Sequence, residues 1–197
     1  MKNRNILTIL ILIFLTSCVG TGSKGVFGTG VSIALDPRSL GTQIDDSIMQ
    51  KNLLAKLVFM NKKYALTINS KVLDGRIFLT GKVENPEEKL RITKIAWEIK
   101  GVRSVKNDIN LKENFNFKRS AEDLYITSRL KTILILSKDI KAANYNIDTY
   151  KRKVFIYGIA QNKNELNLVI DEAKNITNVL EVIASILLVE DLRIQKN

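Results

Sequence analysis

The sequence predicts an α+β chain in which one αββαβ unit is used twice, each unit with two helices packed on a three-stranded mixed sheet. Three observations point there. First, shifted by 77 residues the chain overlays itself without a gap: Asp46 falls on Asp123, Leu53 on Leu130, Leu57 on Leu134, Phe78 on Phe155, Gly81 on Gly158, Asn85 on Asn162, Ala96 on Ala173 and Val105 on Val182. Most of these residues are apolar or cap helices, so the repeat preserves a fold and not a reactive group. Second, Asp74-Gly75 sits between two alternating runs and marks a tight hairpin, whose two turn residues both need positive φ. Third, Asn85-Pro86-Glu87-Glu88 is a helix start, with Asn85 as N-cap, Pro86 in the first turn and Glu88 reaching back from the third position.

The elements follow in order. Asp45-Asp46 can cap a helix that runs to about Met60, with Met49, Leu53, Leu57 and Met60 on one face. Tyr64 to Val72 alternates as a strand, Leu66, Ile68, Ser70 and Val72 pointing one way, and Arg76 to Val83 returns. The helix that starts at Pro86 carries Leu90, Ile95, Ala96 and Ile99, and Gly101 ends it. Val105, Ile109 and Leu111 make the third strand. The second unit repeats this as a helix at 122–138, strands near 143–150 and 153–160, a helix at 163–177 and a strand near 179–189. A unit of roughly 70 residues buries only a small core, so docking of one unit on the other is expected to matter. The sole Trp, Trp97, is read as a packing residue. The pairs Asp45-Asp46 and Glu87-Glu88 are read as acids at helix starts, not as paired catalytic carboxylates.

Composition narrows the chemistry. The 197 residues include no His and a single Cys, Cys18. Ser-His and Cys-His triads, His-ligated metal and an internal disulfide are therefore excluded. No nucleophile–base–orienter set can be drawn, so no catalytic residue, cofactor, metal or small-molecule substrate is expected. The formal net charge of +11 favours polyanionic partners, either nucleic acid or an anionic membrane surface.

The N-terminus chooses between them. Lys2 and Arg4 precede an apolar run from Ile6 to Leu15, too short for a span of ~20 residues and shaped like a secretory signal. Leu15-Thr16-Ser17-Cys18 resembles a bacterial lipobox, which implies acylation of Cys18 as the first mature residue. Val19 follows and not Asp, in keeping with outer-membrane lipoproteins over inner-membrane retention. Cleavage before Cys18 would remove Lys2 and Arg4, leaving 29 basic residues against 20 acidic ones, a charge of +9. A protein in that compartment meets little nucleic acid, so no nucleic-acid partner is expected. The Gly-rich stretch from Val19 to Gly30 reads as a flexible tether. The expected division is a signal peptide at 1–17, the lipidated Cys with tether and entry segment at 18–44, and the two units at 45–111 and 121–190.

The stretch Asp74-Gly75-Arg76-Ile77-Phe78-Leu79-Thr80-Gly81-Lys82-Val83, followed later by Gly101-Val102-Arg103-Ser104-Val105-Lys106-Asn107, resembles the hairpin and closing-strand marks of the BON domain family. The second unit keeps Val154, Ile156, Gly158, Val179 and Val182, but has Arg152 at the hairpin Gly position and Asn178 at the helix-ending Gly position. The segment Asp36-Pro37-Arg38-Ser39-Leu40-Gly41-Thr42-Gln43-Ile44-Asp45-Asp46 is similar to the entry segment of the dual-BON outer-membrane lipoproteins. That resemblance implies a periplasm-facing, non-catalytic outer-membrane lipoprotein that binds anionic phospholipid and supports envelope integrity. It also implies lipid contact through the first helix of the second unit.

Projected at 3.6 residues per turn, that helix turns Asp123, Ile126, Thr127, Leu130, Ile133, Leu134 and Ser137 inward. Its outer arc holds Leu124, Tyr125, Ser128, Arg129, Thr132, Ile135 and Leu136, with Lys131 alongside. Apolar ends with hydroxyls and cations between them suit an interfacial helix, and packing against the other unit is the alternative. Ile135-Leu136 align with Val58-Phe59 and could serve the fold. Lys151, Arg152 and Lys153 at the second hairpin tip could meet lipid phosphates at ~1 kcal/mol each, or form a solvated turn. A second function class stays open: a structural adaptor that binds another envelope protein through exposed sheet or helix faces.

The anchor has a direct test. Cys18→Ala should leave an uncleaved or mislocalised precursor, and mass spectrometry of the mature N-terminus should find acylated Cys18. An unmodified Cys18, or a cut elsewhere, would rule the lipobox out.

Overall fold

The computed structural model describes residues 36–113 and 116–192. Cys18 and the residues read as signal segment and Gly-rich tether lie outside the described residues. The first unit runs α1 (Leu40–Met60), a short α2 (Tyr64–Thr67), β1 (Ile68–Leu73), β2 (Arg76–Val83), α3 (Pro86–Trp97), β3 (Ser104–Asn107) and β4 (Asn110–Leu111). The second runs α4 (Phe117–Leu136), a 3-10 turn (Ala142–Asn144), β5 (Tyr145–Tyr150), β6 (Lys153–Ala160), α5 (Lys163–Lys174) and β7 (Glu181–Leu188), with a last 3-10 turn at Val189–Asp191.

The two sheets have one topology. β1 pairs antiparallel with β2, and β3 and β4 run parallel to β2 in one continuous register, Arg76 opposite Ser104 and Val83 opposite Leu111. β5, β6 and β7 repeat it, with Lys153 opposite Glu181 and Ala160 opposite Leu188. Ile68 pairs with Gly81, and 77 residues on Tyr145 pairs with Gly158. A Cβ at Gly81 would lie 2.1 Å from Thr67 O, and one at Gly158 would lie 2.4 Å from the Tyr145 ring. Both glycines let the entering end of the neighbouring strand approach closely.

Each sheet holds its helices on one face. Met49, Leu53 and Leu57 of α1 meet Ile68, Val72, Ile77, Leu79 and Val83 of the sheet and Ile92 and Ala96 of α3. Ile126, Leu130 and Leu134 of α4 meet Ile147, Val154, Ile156, Val169 and Ala173 in the same manner. A third cluster joins the opposite faces of the two sheets: Leu73 and Phe78 with Phe155, Tyr157 and Ile159. Phe78 stacks on Tyr157 with ring centroids 4.9 Å apart. The Tyr157 hydroxyl donates to Asp108, Thr80 donates to Asp148, and the Lys106 ammonium donates to Ser185. Burial first, then the Asp108 carboxylate, push the Tyr157 phenol above its ordinary pKa, so it stays a donor. The result is helices, sheet, sheet, helices. All three clusters lie within residues 36–192, so a chain that starts at residue 31 keeps every described core residue.

Several expectations are corrected. α1 starts at Leu40, capped by Ser39, whose hydroxyl accepts from Thr42 N–H. α4 starts at Phe117, capped by Asn116. Asp46 is therefore no cap. It is 2% exposed inside α1, and its carboxylate accepts from the Asp74 and Gly75 amides at 2.6 and 2.8 Å and from the Arg38 guanidinium. Asp123 does the same for the Lys151 and Arg152 amides at 2.9 and 2.8 Å. Both hairpin tips carry two successive positive φ values, 51° and 73° at Asp74-Gly75 and 52° and 62° at Lys151-Arg152. The helix carboxylate lets the second tip hold that conformation without glycine. Asn178 likewise takes φ 71° where Gly101 has 88°, a conformation Asn tolerates. Leu66, expected on the inner face of a strand, sits exposed on α2, because the chain makes one helical turn before the strand begins. Leu90 is exposed on α3 and Ile92 takes its place in the core. Trp97 is 53% exposed at the end of α3 and belongs to none of the clusters. Asn85, Pro86 and Glu88 start α3 as expected, Glu88 reaching back to the Glu84 amide.

The buried carboxylates set a stability test. Asp46→Ala leaves two hairpin amides and the Arg38 guanidinium without their acceptor and should destabilise the chain by about 2–4 kcal/mol in urea. Asp123→Ala, which strands the two amides alone, should destabilise by about 1–3 kcal/mol. Losses below about 0.5 kcal/mol for both would show that neither carboxylate holds its hairpin.

Candidate functional site

The candidate face is built on α4. Ile126, Leu130 and Leu134 recur at i, i+4 and i+8 and are buried, so they fix the rotation of the helix on its sheet. Asp123 fixes its N-terminal end on the second hairpin, and Thr127 donates to the Thr149 hydroxyl at 2.7 Å. The opposite arc is thereby turned outward. Leu124, Tyr125, Ser128, Arg129, Lys131, Thr132, Ile135 and Leu136 are all exposed, Leu136 to 76%. Packing against the other unit is thus not what these residues do, because the units meet through their sheets. Thr132 donates to the Ser128 carbonyl, which leaves the mid-helix hydroxyl row partly satisfied by the helix itself. Among the described residues, Arg129 and Lys131 have no carboxylate within ion-pair distance.

The hairpin tip is different. The Lys151 ammonium bonds Glu113, whose carboxyl is held below its ordinary pKa chiefly by that hydrogen bond. Lys153 pairs with Glu181 across the sheet. Of the three cations read from the sequence, Arg152 is the one whose guanidinium has no ion pair among the described residues. It borders an open groove of about 610 Å³ of mixed charge, with Lys118, Arg119 and Lys151 beside the carboxylates of Glu113 and Glu122. Lys118 and Arg119 were not singled out from sequence, because the helix was expected to begin at 122. Their presence in the first turn follows from Asn116 as the N-cap.

The first unit presents apolar side chains outward as well. Leu40, Ile44 and Ile48 form an exposed stripe at i, i+4 and i+8 on α1, and Phe59 and Leu66 are exposed beyond it. No described helix is long and apolar enough to cross a membrane.

Comparison with known proteins places this geometry. The chain is 29% identical over 177 residues to the "Outer membrane lipoprotein DolP" of Haemophilus influenzae, covering 87% of this chain and 88% of that one. It is 35% identical over 119 residues to the "Uncharacterized protein in gshII 5'region" of Anaplasma centrale, covering 60% and 79%. Among solved structures, the C-terminal domain of CdsD, the structural protein of the type III secretion system of Chlamydia trachomatis, aligns with a TM-score of 0.32 and 14% identity over 68% of this chain and 94% of that one. The BON domain family matches twice, at residues 45–113 and 122–190. Those two matches fall on the two halves of the 77-residue repeat, and the chain belongs to the BON domain family.

Proposed function

We propose that this chain is a periplasm-facing outer-membrane lipoprotein, anchored through Cys18, that binds anionic phospholipid with the outer face of α4 and supports envelope integrity without catalysis. In this reading residues 1–17 are the signal, 18–44 carry the acylated Cys and the tether, and 45–111 and 121–190 are the working units. The observation that carries it is the outer arc of α4, with Leu124-Tyr125 and Ile135-Leu136 at its two ends and Arg129 and Lys131 between them, all exposed. A helix with apolar groups for the acyl boundary and unpaired cations for the phosphates lies in the plane of a membrane surface. The charge of the chain and the name borne by the Haemophilus influenzae relative support the same reading. The hairpin contributes through Arg152, and through Lys151 and Lys153 to the extent that phosphates displace Glu113 and Glu181 from them.

The adaptor reading has lost one of its two surfaces, since the sheet faces cover each other. It retains the Leu40–Ile44–Ile48 stripe on α1, an exposed apolar row of the kind that receives another helix.

Vesicles separate the two. A soluble chain of residues 31–197 should bind phosphatidylglycerol vesicles and not phosphatidylcholine ones, and binding should weaken as salt rises. Arg129→Glu and Lys131→Glu should each lower binding by about 1–2 kcal/mol at low salt and less at high salt. Tyr125→Ala and Leu136→Ala should weaken it by about 1 kcal/mol with little salt dependence and leave the melting temperature unchanged, because both side chains are exposed. If reversing both charges leaves vesicle binding intact, α4 is not the lipid face and the adaptor reading takes its place.

A further inference from the structure

We propose that the turn joining α1 to β1 in the first unit is a second contact point with an anionic bilayer, Phe59 and Leu66 entering the acyl boundary and Lys62 and Lys63 meeting the phosphates. The inference rests on the preceding reading for its partner, a phospholipid surface, and needs no part of α4.

Phe59 and Leu66 are 95% and 91% exposed, the highest values among the described large apolar side chains. Neither serves the fold. Phe59 lies outside the Met49–Leu53–Leu57 stripe that seats α1, and the buried residue of α2 is Tyr64, not Leu66. Nor does the repeat require both, because the second unit has Leu136 and Ala143 at the same two positions. Exposed Lys62 and Lys63 stand between them in sequence. Two apolar side chains flanked by long cationic ones, within eight residues, match the layering of a bilayer surface, with hydrocarbon below and phosphate above.

The surroundings extend the positive charge. Leu66 and Thr67 border a cleft of about 320 Å³ shared with Thr149, Tyr150 and Phe155 of the second unit. In that cleft Asp148 is already bonded by Thr80 and Asn69. The Lys82 ammonium lies 4.6 Å and the Lys151 ammonium 5.5 Å from the centre of the Tyr150 ring. The α1–β1 turn therefore sits at the same end of the molecule as the second hairpin tip, with Lys62, Lys63, Lys82, Lys151 and Arg152 gathered there. The nearby carboxylates of Glu84 and Glu113 are bonded by Lys112 and Lys151. A second copy of the chain docked across this turn would bring Lys62 and Lys63 against their own duplicates, a like-charge contact, whereas an anionic surface complements them.

The test uses residues 31–197, which keep every described core residue, on phosphatidylglycerol vesicles. Phe59→Ser with Leu66→Ser should lower affinity at least fivefold and leave the melting temperature unchanged. In a Trp97→Phe background, Phe59→Trp should shift to the blue on binding and be quenched by lipids brominated on their acyl chains. An unquenched Trp at position 59, or unchanged affinity of the double variant while Arg129→Glu weakens binding, overturns this proposal and leaves the α4 reading standing. The reverse pattern, loss with the turn variants and none with Arg129→Glu and Lys131→Glu, supports the turn and overturns α4. Absence of any binding by the unsubstituted chain overturns both. Loss of self-association in sedimentation, with vesicle binding intact, assigns the turn to a second copy and overturns the lipid contact.

Discussion

The packing of one sheet on the other is the constraint on which the rest of this structure depends. Each unit contributes a sheet whose helix-free face carries apolar side chains, few on the first sheet and more on the second. Left alone, each would expose Leu73 and Phe78, or Phe155, Tyr157 and Ile159, to water. Face-to-face docking buries both sets at once and gives two small cores a common third. It also decides what remains for function. With both sheet faces consumed, the outward surfaces are two helical layers on opposite sides and the two ends of the sandwich.

The repeat extends to this docking face only in part: Phe78 and Phe155 match, and other positions do not. The helix-facing positions match in kind, Leu53 with Leu130, Ile77 with Val154 and Ile92 with Val169. On the opposite face Thr80 and Lys82 of the first unit stand where the second has Tyr157 and Ile159. The first unit thus offers a hydroxyl donor in Thr80, an ammonium donor in Lys106 and a carboxylate acceptor in Asp108, and the second offers the Asp148 carboxylate, the Tyr157 phenol and Ser185.

What the sequence made legible was whatever depends on local chemistry: the i, i+4, i+8 rows of α1 and α4, the Asp74-Gly75 hairpin, the Asn85 cap, and the outward arc from Leu124 to Leu136. What it hid depends on contacts between distant residues. Asp46 resembles a helix cap in sequence, yet it serves a hairpin 28 residues away. Nothing local announces that role, although its recurrence as Asp123, beside a hairpin that lacks glycine, is a signal once the two are set together. The helix start at Leu40 was readable from Ser39 and was displaced by the stronger-looking acid pair. Leu66 fits an alternating strand until the α2 turn moves it out of register, and Trp97 follows a size rule that the small interior of each unit does not obey. For α4 the inner and outer arcs were both readable, but the pairing of Lys151 with Glu113 and Lys153 with Glu181 was not, since each joins residues far apart in the chain.

The carboxylate on each hairpin also orients the charge. Asp46 and Asp123 tie the N-terminal part of their helices to the hairpin tips, so α1 ends, and α4 begins, away from the first hairpin. Contact between Tyr150 and Leu111 then sets the second hairpin against the far end of the first sheet. The end of α1, the start of α4 and the Lys151-Arg152 tip consequently meet at one pole. The opposite pole carries the first hairpin, where Asp74 is bonded by Arg76 and Arg103, and Arg38 by Asp36 and Asp46. Burial alone would lower the Arg38 pKa, but those two carboxylates outweigh it and hold the guanidinium charged. Three arginines at that pole, Arg38, Arg76 and Arg103, are consumed by ion pairs of the fold. At the other pole Lys62, Lys63 and Arg152 have no ion pair among the described residues and stay available to an anionic partner.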